Sequence, residues 1–134
     1  MKIYKIAQLD QKEKFTSAVV LVNDDKALIL KRGISAPWMP GYWNLPGGIS
    51  EPGESPYDTA IRECTEEAGI TPTSLSPINT TVVDGMKVYF FGTKVNNTNI
   101  NMDSENSDAK WISKEELNKY QFVPGVKEAI LRFL

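Results

Sequence analysis

The chain of 134 residues contains no histidine and a single cysteine, Cys64. The first absence excludes Ser-His-Asp catalysis and His-ligated zinc. The second excludes an internal disulfide and a thiolate zinc site, and it fits a reducing compartment. Long apolar runs are missing too: Ala18-Val19-Val20-Leu21-Val22 falls far short of the roughly 20 apolar residues needed to span a bilayer. The opening Met1-Lys2-Ile3-Tyr4-Lys5 leads into no apolar secretory core, so the expectation is a cytoplasmic protein with no membrane partner. Fifteen basic against seventeen acidic residues give a net charge of −2, which leaves no broad positive field for a nucleic-acid duplex. Acid–base or metal chemistry in this chain therefore rests on carboxylates and lysines. An intrinsic metal would be a hard cation such as Mg²⁺ or Mn²⁺.

What is present is ordinary for a folded protein. Hydrophobic residues make up 41% and charged ones 24%, enough for a single domain over residues 1–134 around one core. No internal repeat or linker is visible. Phe15 to Val22 reads as a buried strand, Asn23-Asp24-Asp25 as a turn, and Ala27 to Leu30 as the returning strand. Gly33 to Gly48, dense in Pro, Gly and Trp, reads as an ordered loop with a short extended piece near Trp43 to Leu45. Asp84-Gly85 between Thr80–Val83 and Met86–Val95 signals a second hairpin. Asn96 to Asp108 is polar loop, Trp111-Ile112 a short strand, Ser113 to Glu116 a capping box, and Gly125 to Leu134 a closing amphipathic helix. Hairpins with a few helices predict an α+β fold, or a mixed sheet with helices on its faces.

Ser55 to Ala68 is the strongest predicted helix. Ser55 can cap it, Pro56 suits its first turn, and Gly69 can end it in the left-handed conformation. At about 100° per residue, Tyr57, Ala60, Ile61, Cys64 and Ala68 form one apolar stripe. Glu63, Glu66 and Glu67 share a neighbouring face. Their mutual repulsion amounts to a few tenths of a kcal/mol per pair in an isolated helix, and they lie toward the end that the helix dipole makes unfavourable. An acidic helix face is ordinarily solvated surface. Ahead of this one, however, Asn44-Leu45-Pro46-Gly47-Gly48 forms a tight turn whose backbone can approach a ligand closely, and Glu54 stands within reach of Arg62.

Gly48, five residues, Glu54, seven residues, then Arg62-Glu63-Cys64-Thr65-Glu66-Glu67-Ala68-Gly69-Ile70 resembles the signature box of the Nudix hydrolase family, MutT-like members included. Every fixed polar and glycine position is filled; Cys64 stands where a larger aliphatic residue is usual. The resemblance implies an α/β/α sandwich with a mixed, partly antiparallel sheet. It implies metal-assisted hydrolysis of the diphosphate linkage in a nucleoside diphosphate joined to another group. Glu63, Glu66 and Glu67 and the Gly47 carbonyl would ligate Mg²⁺ or Mn²⁺, with Glu63 doubling as the base. Glu54 and Arg62 would orient helix and loop. A later glutamate commonly completes the metal site in this family, and Glu105, six residues before Trp111, is the chosen candidate, with Asp103 and Asp108 as rivals.

Lys31 and Arg32, at the end of the second strand, are candidates to meet substrate phosphates. Gly48 and Trp43 are further substrate-binding candidates, Trp38 and Tyr42 being the other aromatics of that loop. The expected partner is a small-molecule nucleotide, with the chain a monomer or homodimer. Nucleoside triphosphates, nucleotide sugars, ADP-ribose, dinucleoside polyphosphates and capped RNA ends stay open as substrates. Against catalysis stands one alternative, a nucleotide-sensing or protein-binding module on the same fold; such modules typically lack one or more box carboxylates, and this chain has them all.

Overall fold

The computed structural model describes residues 14–134. The sequence Phe15–Asn23 is apolar on both sides because strand β1 is buried on both faces of a sheet. Val19 and Leu21 point to one side, joined there by Leu28 and Leu30 of β2 (Lys26–Arg32). Val20 and Val22 point to the other, with Ala27 and Ile29. Two further strands are short, β3 (Trp43–Asn44) and β4 (Gly47–Ile49). Then come helix α1 (Pro56–Ala68), the hairpin β5 (Ser76–Val83) and β6 (Met86–Lys94), and strand β7 (Asn106–Ser113). A 3₁₀ helix over Lys114–Lys119 and helix α2 (Val126–Phe133) close the chain.

The seven strands form one mixed sheet. β1 runs parallel to β6 from Phe15–Lys87 to Val22–Lys94, while all other pairings are antiparallel. β1 and β2 pair only at their shared turn, Val22 with Ala27 and Asn23 with Lys26. Beyond it they diverge, and β4 takes the vacated edge of β1 by pairing with Thr16, Ser17 and Ala18. This divergence opens the sheet where the site described below is built.

α1 covers the first face through Ala60, Cys64 and Ala68, all fully buried against Val19, Leu21, Leu28 and Leu30. Ser55 caps it as its residue type suggests. Its hydroxyl accepts from the Asp58 N–H (3.1 Å), and the Asp58 carboxylate accepts from the Ser55 N–H (3.3 Å). Gly69, at φ +70°, ends the helix, its N–H donating to the Thr65 carbonyl (3.0 Å). The opposite face is covered by Leu117 of the 3₁₀ helix and by Val126, Ala129 and Ile130 of α2. Helices on both faces of a mixed sheet make the α/β/α sandwich that the sequence predicts.

Several boundaries differ from the sequence reading. Tyr57 of the expected apolar stripe is more than a third exposed and meets Phe91 only edge-on. β7 begins at Asn106, inside what reads as polar loop, because its partner is the backbone of β2, and of its side chains only Ile112 is buried. The Ser113 capping box opens a helix as its spacing predicts, here a 3₁₀ helix. No helix among the described residues is long and apolar enough to cross a membrane. The N-terminal segment Met1–Lys5, on which the cytoplasmic expectation leans, lies outside the described residues.

α2 docks by seating Phe133 on Gly92 of β6, where an added Cβ would fall about 2.5 Å from the Phe133 ring. Gly92→Ala should therefore destabilise the protein by about 1–3 kcal/mol, the cost of an overpacked core. The expected readout is a lower urea midpoint with unchanged slope, partly restored when Phe133→Leu is added. An unchanged midpoint in the single variant would show that α2 seats elsewhere.

Candidate active site

β4 brings two glycines between β1 and α1. At Gly47 an added Cβ would strike the Ser17 carbonyl and Ala18, so no side chain fits. The Gly47 N–H donates to Glu67 Oε1 at 3.1 Å. At Gly48 an added Cβ would fall on the Glu63 carboxyl, which lies directly over the Gly48 backbone. Gly48 thus lets Glu63 of α1 descend onto bare backbone, while bare Gly47 lets β4 close on β1 and offers its N–H to Glu67.

Arg62 ties these parts together. Its Nε donates to Glu54 Oε2 (2.7 Å) and its second terminal nitrogen to Glu54 Oε1 (3.0 Å), a forked pair. The same nitrogen donates to the Ile49 carbonyl (3.1 Å), which fixes β4 against the helix. The remaining nitrogen donates to Glu63 Oε1 (2.9 Å) and Glu66 Oε2 (3.2 Å). Glu54 also accepts from the Thr59 hydroxyl and the Glu51 N–H, both at 2.8 Å. The Arg62 hydrogen bonds, foremost, hold the Glu54 carboxyl down at about 2.

A second acidic group stands beside the first. Carboxylate oxygens of Glu67, Asp103 and Glu105 lie within 4.8 Å of one another. The Asp103–Asn106 turn is ordered by Asp103 Oδ1, which accepts from the Glu105 N–H and from the Asn106 amide, both at 3.2 Å. It is pinned to the end of β2 by the Gly33 N–H, which donates to the Glu105 carbonyl (3.1 Å). Burial pushes the Glu67 carboxyl up to about 7, with Asp103 and Glu105 adding to the rise and the Gly47 N–H opposing it. Glu63 is likewise raised, first by burial and then by a shared hydrogen bond with Glu66 and the charge of Glu67. The converging carboxylate oxygens of Glu67, Asp103 and Glu105 form a donor set suited to a hard divalent cation.

The residues expected from sequence thus fall into two sets. Glu54, Arg62, Glu63 and Glu66 form one network; Glu67 stands with Glu105 and Asp103, the latter having been only a rival to Glu105. Asp108 instead pairs in register with Lys31 between β7 and β2 and is outside the group.

On the other side of the two glycines, a cleft of about 410 Å³ opens where β1 and β2 diverge. Thr16, Ala18, Val88 and Phe90 form its floor, Val83 and Met86 one wall, and Val123, Pro124 and Val126 another. Gly47, Gly48, Arg32, Pro37 and Trp38 line it as well. Of the substrate-binding candidates, Arg32 and Gly48 line this cleft. Lys31 and Trp43 do not. Trp43 is 8% exposed, packed edge-on against Tyr120 (5.2 Å between ring centres), with the Lys31 and Lys110 ammonium groups at 6.0 and 5.8 Å from its ring. Of the three loop aromatics, Trp38 lines the cleft, and its indole N–H donates to Asp84 Oδ2 (2.8 Å). The sequence reading treated Asp84 only as a turn residue; local sequence carries no signal of this contact between positions 46 residues apart.

The NUDIX domain model matches residues 13–133, nearly the whole chain. The chain belongs to the Nudix family. A nucleoside triphosphatase, NudI, of Escherichia fergusonii is 32% identical over 126 residues, covering 83% of this chain and 89% of that protein. A putative 8-oxo-dGTP diphosphatase of Bacillus subtilis is 28% identical over 118 residues, covering 86% of this chain and 76% of the other. Among solved structures, a binary complex of the Caenorhabditis elegans Ap4A hydrolase superposes with a TM-score of 0.75 at 25% identity, over 88% of this chain and 94% of that one. With its family and its relatives named as diphosphatases and triphosphatases, this Nudix chain is a hydrolase.

The raised Glu67 carboxyl has a consequence for stability. Unfolded, its proton is released near the ordinary value of 4.5; folded, it is held up to about 7. Between these limits the folded state binds more protons, so stability falls as pH rises. Glu54 acts oppositely and in a lower window, stabilising as pH rises from about 2 to 4.5. In EDTA the melting temperature should therefore drop from about pH 5 to pH 7, and Glu67→Gln should flatten that slope. A slope of equal steepness in the variant would contradict the burial assigned to Glu67.

Proposed function

We propose that this Nudix hydrolase cleaves the phosphoanhydride of nucleoside triphosphates or related nucleoside diphosphate derivatives, using Mg²⁺ or Mn²⁺. One observation carries the reading: the acidic ridge and the apolar cleft meet at Gly47 and Gly48. A nucleoside lying in the cleft would present its diphosphate to the carboxylates across bare backbone. The names of the relatives, a nucleoside triphosphatase and a putative 8-oxo-dGTP diphosphatase, support a nucleotide of this class.

The donor set fits the metal. Glu67, Asp103 and Glu105 would hold it, and Glu63, Glu66 and the Gly47 carbonyl are further candidate ligands by the family resemblance. When bound, the cation neutralises the diphosphate against an otherwise repulsive site and acidifies water. The protein's own groups do the rest. Glu63, held over Gly48 by Arg62, takes the proton from a water whose oxygen attacks phosphorus, while the bond from phosphorus to the leaving phosphate oxygen breaks. Its raised proton affinity suits a base working near neutral pH. Arg32, which lines the cleft, is the candidate to meet phosphate oxygens. Arg62 and Glu54 position the helix on β4 and touch no substrate.

The test is release of phosphate or pyrophosphate from a panel of triphosphates, nucleotide sugars and ADP-ribose with Mg²⁺. Glu63→Gln should lower kcat by about 10²–10⁴-fold, the usual size of a general-base contribution. Glu67→Gln should lose most metal affinity by calorimetry together with most turnover, its circular dichroism unchanged. Full turnover in Glu67→Gln would refute the ligand assignment, and a merely twofold loss in Glu63→Gln would refute the base.

A further inference from the structure

The loop over residues 33–42 is an excursion with a closed neck. The Arg32 N–H donates to the Tyr42 carbonyl (2.8 Å), and the Gly41 N–H returns a bond to the Arg32 carbonyl (3.0 Å). Within it, the Arg32 Nε–H donates to the Trp38 carbonyl (2.7 Å), and the guanidinium lies 5.4 Å from the Trp38 ring centre. Trp38 in turn reaches Asp84 at 2.8 Å. Asp84 and Gly85, at φ +49° and +79°, make the two-residue turn that returns β5 into β6. Loop and turn are thereby joined across the cleft through one side-chain hydrogen bond.

The cleft's polar inventory is short. Thr16 donates its hydroxyl to Met86 Sδ (3.1 Å), and Asn44 uses its side-chain oxygen on the Leu45 N–H (2.8 Å). The Trp38 N–H is already taken. Among the residues lining the cleft, Asp84 alone carries a carboxylate. An ionised carboxylate only accepts, at about four lone-pair sites, of which Trp38 uses one. The indole bond therefore fixes the carboxylate's position and leaves acceptor capacity toward the cleft.

We propose that Asp84, positioned by Trp38, is the residue that selects the base, favouring a ring edge that offers two adjacent N–H donors. The assignment rests on the reading that the cleft takes the nucleoside. Guanine presents a ring N–H beside an exocyclic amine, and both can be accepted by one carboxylate. Hypoxanthine keeps the ring N–H and lacks the amine. Adenine sets its amine beside a ring nitrogen lone pair, which faces a carboxylate unfavourably. Uracil flanks its single N–H with two carbonyl oxygens. The order of preference is therefore guanine, hypoxanthine, adenine, because the carboxylate gains two charge-assisted hydrogen bonds from guanine, one from hypoxanthine, and meets a repelling lone pair on adenine.

The experiment measures kcat and KM with Mg²⁺ for GTP, ITP and ATP on the wild type, Asp84→Asn and Trp38→Phe, with GMP and AMP binding followed by calorimetry. In the wild type, kcat/KM should favour GTP over ATP by at least about tenfold, with ITP between them. Asp84→Asn should lose at least about tenfold on GTP, chiefly in KM, and change ATP by less than about threefold. Trp38→Phe removes the indole donor and keeps an aromatic ring; it should raise the KM for GTP while leaving kcat in place. The wild-type series needs no variant, so a misfolded Asp84→Asn protein leaves the question decidable. Equal kcat/KM for the three substrates, or an undiminished GTP preference in folded Asp84→Asn, would overturn the assignment. Should no triphosphate turn over while GMP binds at least about tenfold more tightly than AMP, the hydrolase substrate reading fails and the role of Asp84 stands. Equal binding of the two monophosphates would sink it.

Discussion

Like charges held at close range are the constraint around which this protein is built. Glu63, Glu66 and Glu67 share one helix face, Asp103 and Glu105 are brought alongside, and no histidine is available to dilute them. Left to itself, such a helix would fray or turn its acidic face to water. Two devices prevent this. The small residues Ala60, Cys64 and Ala68 let α1 sit close on β1 and β2, so the helix is fixed by burial regardless of its surface charge. Arg62, less than a quarter exposed, then ties Glu54, Glu63, Glu66 and the Ile49 carbonyl into one unit. That last bond matters most for geometry. By fixing β4 against the helix it decides that Gly48 lies beneath Glu63.

What could be read from sequence was what local spacing determines. The capping of α1 by Ser55, its end at Gly69 and the Arg62–Glu54 pair each depend on residues within a few turns of one another. The Asp84-Gly85 turn is legible for the same reason. What escaped was set at long range. The parallel pairing of β1 with β6 joins residues some 70 positions apart and leaves no local mark. Asp103 stands beside Glu67 because the Asn101 N–H donates to the Ala68 carbonyl and the Gly33 N–H to the Glu105 carbonyl, two backbone bonds that no side-chain pattern announces. The tryptophans make the same point. Trp43 lies on a strand, paired with Lys31 and covered by Tyr120, whereas Trp38 sits in a loop that folds over the cleft. Composition and neighbours alone do not separate the buried ring from the reachable one.

The two halves of the site make opposite physical demands, and the splayed sheet reconciles them. Carboxylates need water, cations or donors close by, and the Ala18, Val88 and Phe90 floor of the cleft offers none of these. Placed on that floor without a partition, the acids would be driven to protonate. The partition is β4. Having no side chain to spare at Gly47 and Gly48, it presents Glu63 and Glu67 on one side and cleft wall on the other through a single thickness of backbone. Arg32 is the other shared element, lining the cleft next to Gly33, whose N–H holds the Glu105 loop. On the proposed reading, Trp38 and Asp84 act on the ring and the α1 carboxylates on the phosphates, and the Gly33 N–H is where the 33–42 loop and the acidic group meet.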